Sequence, residues 1–248
     1  MQARRFVGRV ALVTGASGGI GSAIARRLAG EGAAIGVHYH RSPEPAQTLA
    51  AQITHAGGQA FCVGGDTTDA TQSVAIADAV AARFGVIDIL VNAAGALENL
   101  PFGSVTVEAF DRQFHANTLS AVLMMQAAVP HFPPAGGAVI NLSTNIAASP
   151  LPGTAIYAAA KAALNAITAG FAKELGPRGI TVNAVAPGAT DTAMLAWLDD
   201  ETKQGIAHAT PLGRIGQPED VAGAVAFFAS DAAKFITGRS LIIDGGLV

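Results

Sequence analysis

An α/β domain built on a doubly wound, seven-stranded parallel sheet with helices on both faces is the fold this sequence predicts. Short β-rich runs alternate with longer, alanine-rich segments of helical spacing along all 248 residues. The runs are apolar almost throughout, which suits parallel strands buried on both faces. The first run ends in a glycine-rich turn leading into a helical pattern, and such sheets bind ligands beyond the carboxyl ends of their strands.

The candidate strands are 9–15 (RVALVTG), 33–39 (AAIGVHY), 59–65 (QAFCVGG), 88–95 (DILVNAAG), 137–143 (GAVINLS), 179–188 (GITVNAVAPG) and 240–246 (SLIIDGG). Most are rich in Val, Ile and Leu, and each is separated from the next by enough chain for a crossover helix. No composition shift, proline-rich linker or internal repeat divides the chain, so residues 1–248 are expected to form one domain. The least regular stretch, 189–216, is too long for an ordinary connection and is expected to cover a site. Within it Met194, Leu195, Trp197 and Leu198 offer apolar contacts, and Asp199, Asp200 and Glu201 read as a solvated turn.

Composition narrows the functional classes. Hydrophobic residues make up 50% and charged residues 13%, enough to bury a substantial core. Fifteen Lys and Arg against eighteen Asp and Glu give −3, without the basic excess that nucleic acid demands. The single cysteine, Cys62, lies in an apolar strand run and reads as a buried thiol, consistent with a reducing compartment. No apolar run approaches 18 residues, and the start turns into a glycine loop where a signal peptide would need its apolar core. A cytoplasmic protein without a nucleic-acid or membrane partner is the expectation.

The turn after the first strand reads TGASGGIGSAIARRLAGEGA, with Gly15, Gly19 and Gly21 spaced G-x-x-x-G-x-G and Ser17 and Ile20 between them. Glycines there permit a tight turn and close approach of a pyrophosphate, which the free N–H groups and dipole of a helix start favour. A ligand-free glycine turn would carry the same letters.

Further along, YAAAK sets Tyr157 and Lys161 four residues apart, with only alanines between. Alanine favours helix, and i, i+4 residues share a face, so phenol and ammonium become neighbours. A phenol with an ordinary pKa of about 10 exchanges protons poorly near neutrality, and a nearby cation stabilises the phenolate. The pair therefore reads as a proton donor with its tuning group.

These motifs, with GGDTTD, LVNAAG, HANTLSAV, GITVNAVAPGATDT and ITGRSLIIDGG in order along nearly the whole chain, resemble the short-chain dehydrogenase/reductase family. The resemblance implies a single Rossmann-type domain, a nicotinamide cofactor and hydride transfer between a carbonyl and an alcohol. It implies Tyr157 as general acid in reduction and base in oxidation, Lys161 tuning it and binding the nicotinamide ribose, and Asn117 holding a water that links the lysine to solvent. Where the family usually has a serine thirteen residues before the tyrosine, this chain has Thr144, with Ser143 just ahead. Thr144 is the expected substrate hydroxyl. A local shift would bring in Ser143 instead, because neighbouring strand residues face opposite ways.

By the same resemblance Asp66 and Thr67 meet the adenine, Asn92, Ala93 and Gly95 wall the adenosine side, and Pro187, Gly188, Thr190 and Thr192 border the nicotinamide carboxamide. NAAG replaces the commoner NNAG, which removes a side chain that often steadies that loop. Tyr39 stands where NAD-binding members carry an acid, and no carboxylate follows before Glu44. His40, Arg41 and Ser42 instead supply a cation and small donors suited to a 2′-phosphate, so NADP(H) is expected over NAD(H). The segment PHFPPAGGAVI lacks the basic residues by which 3-oxoacyl carrier-protein reductases meet their carrier, which leaves a small ketone or aldehyde as the expected substrate. A carrier-protein reductase and a non-catalytic NADPH sensor are the alternatives. The alanine-rich helix after Tyr157 and the family's habit of pairing it across subunits imply a homotetramer.

Overall fold

A computed structural model describes residues 4–196 and 198–248, so Trp197 lies outside the described residues. The strands are β1 Val10–Thr14, β2 Ala34–Tyr39, β3 Gln59–Gly64, β4 Ile89–Asn92, β5 Gly137–Leu142, β6 Ile180–Pro187 and β7 Ser240–Ile243. The helices are α1 Gly19–Gly30, α2 Pro43–His55, α3 Ala70–Phe84, α4 Val107–Phe114, α5 Ser120–Ala128, α6 Ala155–Leu175, α7 Asp200–Ala209 and α8 Pro218–Ala229. All seven strands form one parallel sheet in the order β3-β2-β1-β4-β5-β6-β7. The winding reverses between β1 and β4, and this switch point opens the crevice in which such sheets take a ligand.

Side chains alternate across the sheet and find helices on either side. Ala11 and Val13 of β1 join a core with Ile24 and Leu28 of α1, Leu49 and Ile53 of α2, and Val221 and Val225 of α8. Val10 and Leu12 face the other way, toward Ile76 and Val80 of α3 and Met124 and Met125 of α5. Burial on both faces explains the uniformly apolar central strands. The edges differ: β3 is mostly half-buried, and Leu241 and Ile242 of β7 remain exposed. Cys62 is accordingly half-buried rather than buried, and burial raises its thiol pKa.

Two other expectations change. Asp199, Asp200 and Glu201 open α7 instead of forming a turn: Asp199 accepts from the Thr202 N–H at 2.7 Å, and the two following acids suit the positive end of the helix. Helix α6 with its short continuation, Ala155–Arg178, is also long and apolar enough to cross a membrane by length and composition alone. Its Tyr157, Ala160, Lys161, Leu164, Thr168 and Ala172 are buried within the fold.

The amino-terminal segment is fastened by Glu31, whose side chain is only 2% exposed. Arg5 donates to it through Nη2 at 2.8 Å and also through Nε, and Arg27 donates to it from one turn earlier on α1. Burial alone would raise this carboxyl, but the two arginines outweigh it and hold the pKa below the usual range. Both arginines are about a third exposed and shed part of the penalty to water when unpaired. Glu31→Gln should therefore cost about 2 kcal/mol in urea unfolding at neutral pH. A carboxyl depressed in the folded state stabilises above its free pKa of about 4.3, so the wild-type advantage should shrink as pH falls through the lower folded value.

Candidate active site

The turn after β1 is defined by one close backbone approach. Gly15 has φ +62°, and a Cβ there would lie 2.9 Å from the backbone of Ala94, so a side chain is excluded by conformation and space together. Thr14 closes the junction: its Oγ1 accepts from the N–H groups of Ala93 and Ala94, both at 3.1 Å. The steadying side chain missing from NAAG is thus supplied from β1. Sequence reasoning passed over Thr14 because a threonine ending a strand has no distinguishing pattern. Beyond the turn Gly18 caps α1 without a side-chain bond, leaving the first N–H groups of the helix open to an anion. Ser17 and Ile20 are half-buried beside it, and the Thr192 methyl lies against Gly19.

At the ends of β2 and β3, the Tyr39 ring covers Gly64, while His40, Arg41 and Ser42 are exposed at the start of α2. Ser42 caps α2 with no side-chain bond of its own. Asp66 accepts through Oδ1 from the N–H and hydroxyl of Thr68, both 2.8 Å, and its Oδ2 lies 3.6 Å from His40 Nε2. Burial would raise this carboxyl, but the Thr68 bonds hold it below the usual range. Thr67 is buried, and its carbonyl accepts from Ser73. Asn92 turns its side chain inward, donating to Asn141 Oδ1 at 2.9 Å and toward the Ala121 carbonyl, so it binds β4 to β5 and α5 instead of facing the crevice. His38, buried within β2, joins the glycine turn to the end of β3, a role invisible in a sequence where it is one polar letter in an apolar run.

The proton-bearing groups gather where β5 and β6 end. Tyr157 in the first turn of α6 is 7% exposed and Lys161 one turn later is 4% exposed. Of the two hydroxyls after β5, Thr144 meets the Tyr157 phenol. Ser143 turns toward the Lys161 carbonyl at 3.5 Å, as alternation leaving a strand requires. Thr144 is held by the Ile146 N–H at 3.3 Å and reaches the Pro187 carbonyl at 3.4 Å. Burial pushes Tyr157 up to about 12, against a smaller downward pull from Thr144, and brings Lys161 down to about 8. The lysine therefore does not depress the phenol in the chain by itself. Its Nζ lies 6.0 Å from the ring centroid and donates to the Leu142 carbonyl at 2.7 Å, so desolvation dominates both groups.

Asn117 sits in a π-turn, His115–Leu119, that joins α4 to α5. Its Nδ2 donates to the carbonyls of Ala96 at 2.7 Å and Gln113 at 2.9 Å, and its Oδ1 accepts from the Ala96 N–H at 3.2 Å. A Cβ on Gly95 would lie 2.8 Å from Asn117 Oδ1 and 3.3 Å from Lys161 Nζ, so a residue without a side chain lets these two approach. Gln113 beneath them is fully buried with an unpartnered Nε2. On the far wall, Thr190 donates to the Gly188 carbonyl at 3.0 Å, and the pairs Asp191–Gly216 and Gly216–Ala189 pin the segment that Pro187 begins.

These residues fit a dinucleotide: an uncapped helix start for its pyrophosphate, donors at Arg41 and Ser42 for its nucleoside end, and a buried acid-and-amine pair at the opposite end of the crevice. A family model described as enoyl-(acyl carrier protein) reductase matches residues 15–248. An uncharacterized oxidoreductase of Methylorubrum extorquens is 44% identical over 98% of this chain and 99% of its own. The 3-oxoacyl-[acyl-carrier-protein] reductase of Staphylococcus aureus is 40% identical over 96% and 97%. Among solved structures, a dehydrogenase/reductase from Sinorhizobium meliloti superposes with a TM-score of 0.94 at 40% identity, covering 99% of this chain and 97% of that one. A blue fluorescent protein from a metagenomic library, solved in complex with NADPH, gives 0.92 at 36% identity, covering 98% and 99%. The family match spans nearly the whole chain, the relatives are 40–44% identical over almost their full length and the fold recurs among solved structures, so the chain belongs to the short-chain dehydrogenase/reductase family of oxidoreductases.

Proposed function

We propose that this oxidoreductase is an NADPH-dependent reductase of small ketones or aldehydes, acting in the cytoplasm. The observation that carries the reading is the buried Thr144–Tyr157 hydroxyl pair, one helical turn from Lys161, beside an open helix start. When bound, the nicotinamide cofactor supplies or accepts the hydride. Tyr157, kept protonated by burial, gives its phenolic proton to the carbonyl oxygen, and the Thr144 hydroxyl donates to that oxygen and orients it. Lys161 holds the nicotinamide ribose and offers a cation to the phenolate left behind, while Asn117 secures the loop against which the lysine sits. Thr190 and Thr192 border the carboxamide. Met194, Leu195 and Leu198 give the covering segment an apolar surface suited to an organic carbonyl.

The choice of NADPH rests on the absence of a carboxylate from Tyr39 through Pro43 and on Arg41 and Ser42 at the start of α2. A 2′-phosphate there gains a guanidinium and a helix dipole. Similarity to the S. aureus enzyme favours a second reading, reduction of a 3-oxoacyl group on a carrier protein, although 130–140 offers no Lys or Arg. Turnover of free ketones but not of carrier-bound 3-oxoacyl thioesters selects the first reading, and the opposite result selects the second. Tight NADPH binding without turnover of either marks a sensor. A homotetramer is part of the proposal: α6 exposes Ala155, Ala159, Ala162 and Ala166 along one face, and α4 exposes Val107 and Phe110. Sedimentation as a monomer at micromolar concentration contradicts it.

Four outcomes test the site. Tyr157→Phe should lower kcat by about a hundredfold or more with cofactor affinity nearly intact, and Thr144→Val should cost much more activity than Ser143→Ala. In reduction the phenol titrates above the working range, so the rate should fall as pH rises through about 8, where Lys161 loses its charge. A profile flat to pH 10 shows that the ammonium is not needed. Arg41→Ala should weaken NADPH about ten- to a hundredfold and leave NADH nearly unchanged at fixed salt. Equal weakening of both removes the case for NADPH.

A further inference from the structure

His38 is 1% exposed, takes no part in the chemistry above, and is bonded at both ring nitrogens. Its Nδ1 lies 3.1 Å from the Gly15 amide nitrogen and its Nε2 lies 3.0 Å from the Gly65 carbonyl oxygen. These partners fix the tautomer. An amide N–H can only donate, so Nδ1 must be bare, and a carbonyl can only accept, so Nε2 must carry the proton. The backbone reinforces the link: the Ala16 N–H donates to the His38 carbonyl at 3.0 Å, and the Gly15 carbonyl accepts from Gly18, the cap of α1, at 3.0 Å. The first two amides of the turn thus point at His38, and the orientation of Gly15 passes through Gly18 to the open N–H groups of the helix.

Resting on the dinucleotide reading above, we infer that His38 is a positioning residue for the cofactor: a neutral imidazole that braces the phosphate-binding turn against β3, and whose protonation releases Gly15 and weakens both cofactor forms. A proton on Nδ1 would set N–H against N–H and take from the Gly15 amide its acceptor. Burial holds the imidazole below its usual range. Of the charged groups acting on it, His40 at the end of its own strand opposes protonation and Asp66 after β3 favours it, while the glycine turn contributes only main chain. The brace is therefore intact at neutral pH and fails on the acid side.

The experiment is the affinity for NADH and NADPH from pH 8 down to the acid limit of the folded protein in wild type, His38→Asn and His38→Phe, with 15N spectra of the wild-type histidine side chains over the same range. The Asn side chain places an acceptor oxygen near the position of Nδ1 and does not titrate. Wild type should lose about three- to tenfold in affinity for both cofactors as the spectra show His38 taking up its second proton, the size of one lost hydrogen bond. His38→Asn should bind within about threefold of wild type at pH 7.5 and lose the acid-side fall common to both cofactors. Any loss confined to NADPH belongs to its phosphate and to His40, which makes NADH the deciding arm. His38→Phe should be about tenfold weaker for both throughout, and if it fails to fold, the Asn variant and the spectra still decide. An NADH affinity in wild type that does not fall as His38 protonates, an imidazole that stays neutral to the acid limit of the fold, an undiminished acid loss in His38→Asn, or an Nδ1–H tautomer overturns the inference. Failure of wild type to bind either dinucleotide instead overturns the functional reading, and the inference with it.

Discussion

The crevice depends on two backbones meeting at the switch point. Gly15 after β1 and Ala94 after β4 approach so closely that a single methyl would part them, and Thr14, the last residue of β1, holds the loop after β4 against its own strand. From this junction α1 leaves with its amides open on one side, and the chain continues through Gly95 to Asn117 and Lys161 on the other. The two ends of the proposed cofactor crevice are thereby set relative to each other through main chain, which deforms less than a contact between long side chains.

Burial, more than pairwise attraction, decides which group holds a proton. A phenol near 12 and an ammonium near 8 are each displaced toward the neutral form, as expected of titratable groups removed from water with only neutral partners nearby. Glu31 shows the contrary balance, where two guanidinium groups reverse an unfavourable desolvation. The acid of the site is a good proton holder by itself, and its conversion to a base requires positive charge brought close to it. In the proposed reaction Lys161 would supply that charge beside a bound cofactor.

Much of this was legible in the sequence, because parallel strands buried on both faces must be apolar throughout and helices over them must repeat every 3.6 residues. The seven runs and the glycine turn follow from that rule. Tyr157, Lys161 and Asn117 came instead from motif order, and their spacing alone gave only adjacency. Thr144 and Ser143 could not be separated by composition, since the choice depends on which way a chain turns after its last ladder bond. Thr14 and His38 were passed over for a related reason: their importance lies in partners 23 to 80 residues away, which no local pattern records. The acids of α7 were misread because the same letters suit a turn and a helix start, and the Asp199 cap decides between them.

The π-turn at His115–Leu119 also bears on how this chain tolerates insertion and deletion. A π-turn holds one residue more than the helix around it, which puts α4 and α5 out of angular phase by roughly 100°. That offset lets α4 leave most of its surface uncovered while α5, directly continuous with it, buries Met124 and Met125 against the sheet. Removing one residue between Gln113 and Ser120 would restore an unbroken helix, and would rotate Asn117 off Ala96 or swing the methionines out of the core. Two demands on one helical rod, an apolar seam and an amide aimed at the crevice, are reconciled by a single surplus residue.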